Sequence, residues 1–324
     1  MNVNTLLLDL IKIESLSSNE INVCDYIYNL LLKNKFNVKK QFVNKTGYNI
    51  IVKIGKPKFY FSAHMDTVKP FLKAYETKDK IYGRGACDTK SSVASMICAA
   101  IKAKENNYNN FGLIFTVDEE VSFSGVKKII EKEKIPFVIV GEPTNNMVVN
   151  GNNGILVVNL QTFGKKAHSK EPEKGINAID KMINLLKIIM DNRALLKYNL
   201  SITKINGGIA DNIIPDFCEV ILSYRLSPME KIDVLKELKK IVKDKGKIIA
   251  ALDIPAVVTK VPKELEFLKA DGIYKGCTEL SFYKKGIILG PGTLDYAHQD
   301  NEQIKKVELN DAVDIYLRII KNYQ

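Results

Sequence analysis

Only three histidines occur in the 324 residues of this chain, and each has neighbours suited to metal or acyl chemistry. His64 lies in Phe61-Ser62-Ala63-His64-Met65-Asp66-Thr67-Val68, His168 in Ala167-His168-Ser169, and His298 in Tyr296-Ala297-His298-Gln299-Asp300-Asn301-Glu302. Histidine is the commonest metal ligand and moves protons near neutral pH. Acidic residues recur beside them where apolar, strand-like runs end: Asp66, Asp88 in Gly83-Arg84-Gly85-Ala86-Cys87-Asp88, the pair Glu119-Glu120, and Glu142 in Gly141-Glu142-Pro143-Thr144. Open α/β sheets bind ligands at the carboxyl ends of their strands. Two imidazoles among several carboxylates suit zinc or a similar divalent ion. Two ions need a bridging carboxylate, and Asp88, in a glycine-flanked loop ahead of a helical pattern, is the natural candidate. Asp66 is placed to accept the ring N–H of His64 and fix its tautomer. Singly, an Asp before a helix is most often an N-cap and Glu-Glu a solvated turn. Their shared order and strand-end placement favour a metal site instead.

The elements that must position these residues follow from periodicity. Leu6, Leu7, Leu10 and Ile11 recur at helical spacing, and Val23, Tyr26, Ile27, Leu30 and Leu31 form one face of a second helix. Strands are expected over 49–54, 59–63, 112–117 and 137–140, with helices over 88–104 and 125–132 between them. Such alternation predicts an α/β layer with a mixed, largely parallel sheet flanked by helices. After Pro143 the pattern becomes strand 154–163, helix 175–190, strands 200–205 and 217–226, helix 229–243 and strand 247–252. This β-α-β-β-α-β order is that of a ferredoxin-like α+β domain. Residues from 265 onward resume the first style. The expected architecture is a discontinuous catalytic domain, 1–150 and 256–324, into which a lid or dimerisation domain, 151–255, is inserted.

Composition narrows the function classes. Hydrophobic residues at 46% and charged residues at 26% are those of a globular protein, and no apolar run reaches the ~20 residues of a membrane span. Asp9 and Glu14 interrupt the N-terminal segment, which lacks the basic start of a signal peptide, so a cytoplasmic location is expected. Five scattered cysteines without C-x-x-C spacing argue against a disulfide framework or a zinc knuckle. The formal charge of +11 comes from dispersed lysines rather than one basic stripe, which argues against nucleic acid as a partner.

The ordered set His64-Met65-Asp66-Thr67-Val68, Gly83-Arg84-Gly85 with Asp88 and Lys90, Asp118-Glu119-Glu120, Gly141-Glu142-Pro143-Thr144 and Gly290-Pro291-Gly292 through Ala297-His298 resembles the dinuclear zinc aminoacylase and carboxypeptidase superfamily over essentially the whole chain. The resemblance implies two divalent ions, zinc first and cobalt or manganese as alternatives, bridged by Asp88. His64 and Glu142 would complete one site, and Glu120 and His298 the other. Glu119 would be the general acid/base, and Asp66, placed beside His64, is counted with Glu119 and His168 among the catalytic residues. It further implies that His168 reaches a partner subunit's active site and steadies the oxyanion, which implies a homodimer formed through the inserted domain, or a lid that closes within one chain. Arg225 and Asn212 would hold the substrate's α-carboxylate, for which a planar guanidinium is better shaped than an ammonium. Gly292 is counted with the substrate-binding residues.

Within that superfamily, Cys277-Thr278-Glu279, Leu289-Gly290-Pro291-Gly292 and His168-Ser169 through Gly175-Ile176-Asn177-Ala178 are similar to the acetylornithine deacetylases. Hydrolysis of N-acetylornithine to ornithine and acetate, as in arginine biosynthesis, is therefore the leading expectation. The alternatives are release of lysine or ornithine from an acidic amino-group carrier protein, which would give the +11 charge a partner, and a succinyl-diaminopimelate desuccinylase or dipeptidase. A non-catalytic relative kept as a binding protein stands apart, and the complete set of acidic and imidazole positions argues against it.

Overall fold

The computed structural model describes residues 1–230 and 232–324, which form two compact units. The first comprises Met1–Gly151, Val258–Tyr274 and Thr278–Gln324; the second comprises Asn152–Val257 with Lys275–Cys277. Among the described residues no helix is long and apolar enough to cross a membrane.

The first unit is built on an eight-stranded mixed sheet. Its order is Val38–Phe42, Tyr48–Ile54, Phe111–Thr116, Phe59–His64, Val138–Val140, Gly286–Ile288, Val148–Val149 and Ala270–Asp271. The four central strands, 111–116, 59–64, 138–140 and 286–288, run parallel. Phe59–His64 and Phe111–Thr116 are buried along their entire length, as strands covered on both faces must be. The helix Lys90–Glu105 packs between Val3–Lys12 and Lys306–Asn322. It is rich in Ser and Ala and buried nearly all round, so it has almost no polar face and its small side chains admit close neighbours. Phe61 packs on Tyr316 with ring centroids 4.8 Å apart, and the Tyr316 hydroxyl donates to Leu289 O at 2.8 Å, which ties the last helix to the strand end at Gly290.

The second unit is a four-stranded antiparallel sheet in the order Asn199–Gly207, Phe217–Leu226, Gly154–Phe163, Lys247–Ile254. With the helices Ala178–Met190 and Val234–Val242 this is the ferredoxin-like arrangement. Leu156, Val158 and Leu160 alternate inward along the central strand and meet Val220, Leu222, Met182, Leu185 and Leu238 in a separate core. The chain is thus an α/β unit interrupted by an α+β unit.

Two features were not legible from apolar periodicity. Val38–Phe42 is an edge strand with the half-polar sequence VKKQF, and a small sheet joins Tyr75–Glu76, Lys80–Tyr82 and Gln303–Lys305. Both take their order from main-chain pairing, which leaves little trace in side-chain hydropathy.

Candidate metal centre

The parallel centre of the sheet brings its carboxyl ends together. His64 is the last residue of its strand, Glu119 and Glu120 follow Phe111–Thr116, and Glu142 follows Val138–Val140. Asp88 precedes the helix Lys90–Glu105, its peptide bond to Thr89 is cis, and the Thr89 hydroxyl donates to His64 O at 3.1 Å. His298 sits in the turn that leads to Gln303–Lys305, with φ at +63°. Asp118 also adopts φ of +61°, a conformation that short polar side chains tolerate, and its carboxylate accepts from Ser18, Ser122 and Ser124.

Asp88 lies between the two histidines. Its Oδ1 is 3.2 Å from His64 Nε2 and its Oδ2 is 3.4 Å from His298 Nε2, while His298 Nε2 is 3.1 Å from Glu120 Oε1. The ligand atoms of His64, Asp88 and Glu142 lie within 4.8 Å of one another, as do those of Asp88, Glu120 and His298, and those of His64, Glu119 and Glu120. Two ligands of a tetrahedral ion at about 2.1 Å stand about 3.4 Å apart, so both groups containing Asp88 fit a divalent ion with small adjustments. Glu142 is buried, and its Oε1 has no hydrogen-bond partner among the described residues. A buried carboxylate oxygen of this kind is costly without a cation. The residues therefore fit two divalent ions.

Electrostatics point the same way. Burial, reinforced by neighbouring carboxylates, pushes Glu119 and Glu142 well above the usual range; burial also raises Glu120 against its bond to His298. Burial would lower His64, yet Asp66 and Asp88 carry it well above the ordinary value. Asp88 and Glu120 raise His298 to about 10. Burial opposes the charge on Asp88, but its bonds to His298 and His64 win and hold it low. Carboxylates outnumber imidazoles in the cluster, and burial favours the protonated form of Glu119, Glu120 and Glu142.

Asp66 acts differently from its sequence position alone. The His64 Nδ1–H donates to the Asp66 main-chain carbonyl at 3.0 Å, with the carboxylate Oδ1 farther off at 3.5 Å. That bond places the ring proton on Nδ1 and leaves Nε2 as the donor atom for a metal. The Asp66 carboxylate accepts the N–H groups of Glu119 and Glu120, both at 3.1 Å, and the Ser17 hydroxyl at 2.7 Å. It thereby orients the Glu119-Glu120 turn as well as flanking the histidine.

Gly292, with φ of +86°, lies against the loop before Asp88: a Cβ there would come 2.8 Å from Cys87 Sγ. The other three positions belong to the second unit. His168 pairs with Ile213 across a short ladder, and Ser169 N donates to Asn212 O at 2.9 Å, so His168 and Asn212 are neighbours. Lys170 N donates to His168 Nδ1 at 3.1 Å, which leaves the proton of a neutral ring on Nε2 as an outward donor. Arg225 is not with them. It lies near the far end of Phe217–Leu226, eight residues from Phe217, or about 26 Å at ~3.3 Å per residue.

Three buried acids near the site have partners that no local pattern shows. Glu20 Oε1 accepts from Asp118 N at 3.1 Å, Glu279 Oε2 accepts from the Ser62 hydroxyl at 2.9 Å, and Glu302 holds the Asp88 loop. Their partners lie 98 to 217 residues away in sequence. Glu279 and Glu302 stand in segments that the sequence marks, beside Cys277-Thr278 and after His298, but nothing local shows what their carboxylates hold.

A model of peptidase family M20/M25/M40 matches residues 60–322. A protein of Aspergillus flavus named a probable carboxypeptidase is 30% identical over 366 residues, covering 96% of this chain and 88% of that protein. Among solved structures, a tripeptidase from Staphylococcus aureus superposes with a TM-score of 0.85 at 22% identity, covering 100% of this chain and 98% of the other. A Bacillus subtilis protein described as a dinuclear metal binding peptidase superposes with a TM-score of 0.74 at 15% identity, covering 98% and 96%.

Proposed function

The chain belongs to peptidase family M20/M25/M40, and we propose that within it the protein is a dinuclear-metal amidohydrolase that cleaves the N-acyl amide of an amino acid, N-acetylornithine before others. The observation that carries the hydrolytic reading is Asp88, whose two carboxylate oxygens face His64 and His298 while Glu119 lies in the same cluster. N-acetylornithine is favoured by the local resemblances around Cys277, Gly290 and His168. A carboxypeptidase or short-peptide specificity is the second reading, supported by the description of the Aspergillus flavus relative.

Divalent ions held by His64, Asp88, Glu142, Glu120 and His298 would polarise the scissile carbonyl and acidify water. Glu119 would take the proton of the attacking water and deliver it to the leaving amine, which departs poorly as an anion. The His168 Nε2–H would donate to the developing oxyanion. Arg225 and Asn212 would hold the substrate's carboxylate. Because Arg225 stands about 26 Å along its strand from Phe217, and His168 and Asn212 lie beyond that Phe217 end of the strand, one inserted unit is poorly placed to bring all three to one small substrate. Two copies are better placed. Among the described residues the strand Asn199–Gly207 has a neighbouring strand on one side only, and Ile202 and Ile205 on it are exposed, an edge suited to a second copy of the chain.

The deciding experiment compares kcat/KM for N-acetylornithine, N-succinyl-diaminopimelate, a carrier-linked lysine, and di- and tripeptides, with the protein loaded with zinc, cobalt or manganese. N-acetylornithine should lead. A preference for peptides moves the assignment to a carboxypeptidase, and metal binding without any hydrolysis leaves only the non-catalytic reading.

Two further results are expected. His168→Ala should lower kcat by about 10²–10³-fold with little change in metal content. Mixing it with an inactive Glu119→Gln copy should restore part of the activity, because one site of the mixed dimer is then complete; no recovery under conditions of subunit exchange would refute the contribution in trans. Zinc uptake by metal-free protein at pH 8 should release the ring protons that carboxylates hold on His64 and His298, so affinity should rise with pH, at the His298 group towards about 10. Calorimetry in buffers of different ionisation enthalpy measures that release.

A further inference from the structure

Glu302 is almost completely buried at the start of the segment that leads into the last helix. One of its carboxylate oxygens, Oε1, accepts three main-chain N–H groups, those of Gly85, Cys87 and Asp88, each at 3.0 Å. The other, Oε2, accepts Arg84 Nη1 at 2.7 Å. Three amides converging on one anion form a cradle whose shape is set by the ion it holds. Gly85 makes the wrap possible, with φ of +86° and no room for a Cβ against Lys90.

The same residue also reaches towards His298. Glu302 N donates to Gln299 O at 3.3 Å, Arg84 Nη1 donates to Gln299 O at 3.2 Å, and Gly83 N donates to Glu302 O at 3.1 Å. The loop ending in Asp88 is thereby held by the Glu302 carboxylate, and the turn holding His298 is joined to it through the Glu302 main chain and through Arg84, whose Nη1 bonds both the carboxylate and Gln299 O. We propose that Glu302 is a positioning residue that sets the separation of Asp88 and His298, and with it metal affinity at the group formed by Asp88, Glu120 and His298. This rests on reading that group as a metal site. A buried Arg84–Glu302 pair that served only the fold would affect melting temperature but leave the metal-binding steps of the folded protein unchanged.

The test titrates metal-free protein with Zn²⁺ against a chromophoric chelator and follows Co²⁺ loading by its visible spectrum. Glu302→Gln keeps the shape but replaces the anion. Glu302→Asp keeps the anion opposite Arg84, and so keeps the fold, but is one methylene short of the three amides. In Glu302→Gln one of the two zinc-binding steps is expected to weaken by about 10- to 100-fold, the size typical of losing a partner that orients a ligand. Glu302→Asp is expected to lie between, and it decides the matter where Glu302→Gln does not fold. If a folded variant binds both ions as tightly as the unaltered protein, the inference is overturned while the metal centre stands. If the unaltered protein binds no divalent ion, the metal reading falls first and takes this one with it.

Discussion

Glu119→Gln is expected to lower kcat for amide hydrolysis by about 10²–10⁴-fold, the usual contribution of a positioned general acid/base, with two metal ions still bound. The substitution preserves size and every main-chain contact, including the bond from Glu119 N to the Asp66 carboxylate. What it removes is the capacity to take a proton from water and return it to the amine. Because Glu119 groups with His64 and Glu120 as closely as the proposed ligands do, metal analysis must accompany the kinetics. A parallel fall in metal content would make Glu119 a ligand, and the acid/base assignment would then fail. Unchanged kcat with both ions present would remove it from the mechanism altogether.

The sequence exposes the site because its residues sit where apolar runs stop. His64, Glu120 and Glu142 each lie at or just beyond the carboxyl end of a buried strand, so strand periodicity locates the candidate ligands together with the sheet. The side chains that make the geometry rigid leave no such mark. Glu302 reaches back to the Asp88 loop and Glu20 across to Asp118, and neither link has a local pattern because three-dimensional closure creates it. Asp66 is instructive in a different way. Its spacing from His64 is visible, but its carboxylate is claimed by the amides of Glu119 and Glu120, whose approach depends on the left-handed turn at Asp118. The separation of Arg225 from His168 and Asn212 likewise follows from strand register rather than from residue type.

Asp88→Asn should be the most damaging single change to the metal centre, and it should damage both halves. The two carboxylate oxygens of Asp88 face different histidines, at 3.2 Å and 3.4 Å. An amide offers one oxygen and turns its NH₂ donors towards the other side, where they would repel a cation and oppose the ring N–H of a charged histidine. The loss of affinity is expected to exceed the ~10- to 100-fold caused by removing an orienting partner, and amide hydrolysis should fall below detection. The fold should survive, since the Asp88 N–H still meets Glu302 and the side chain does not cap the following helix. Single-site losses give the contrast: Glu142→Gln should weaken only the ion shared with His64, and His298→Ala only the ion shared with Glu120. Metal content after dialysis against a chelator, measured beside circular dichroism, separates these patterns. Two tightly bound ions in folded Asp88→Asn would show that the ions do not share this carboxylate.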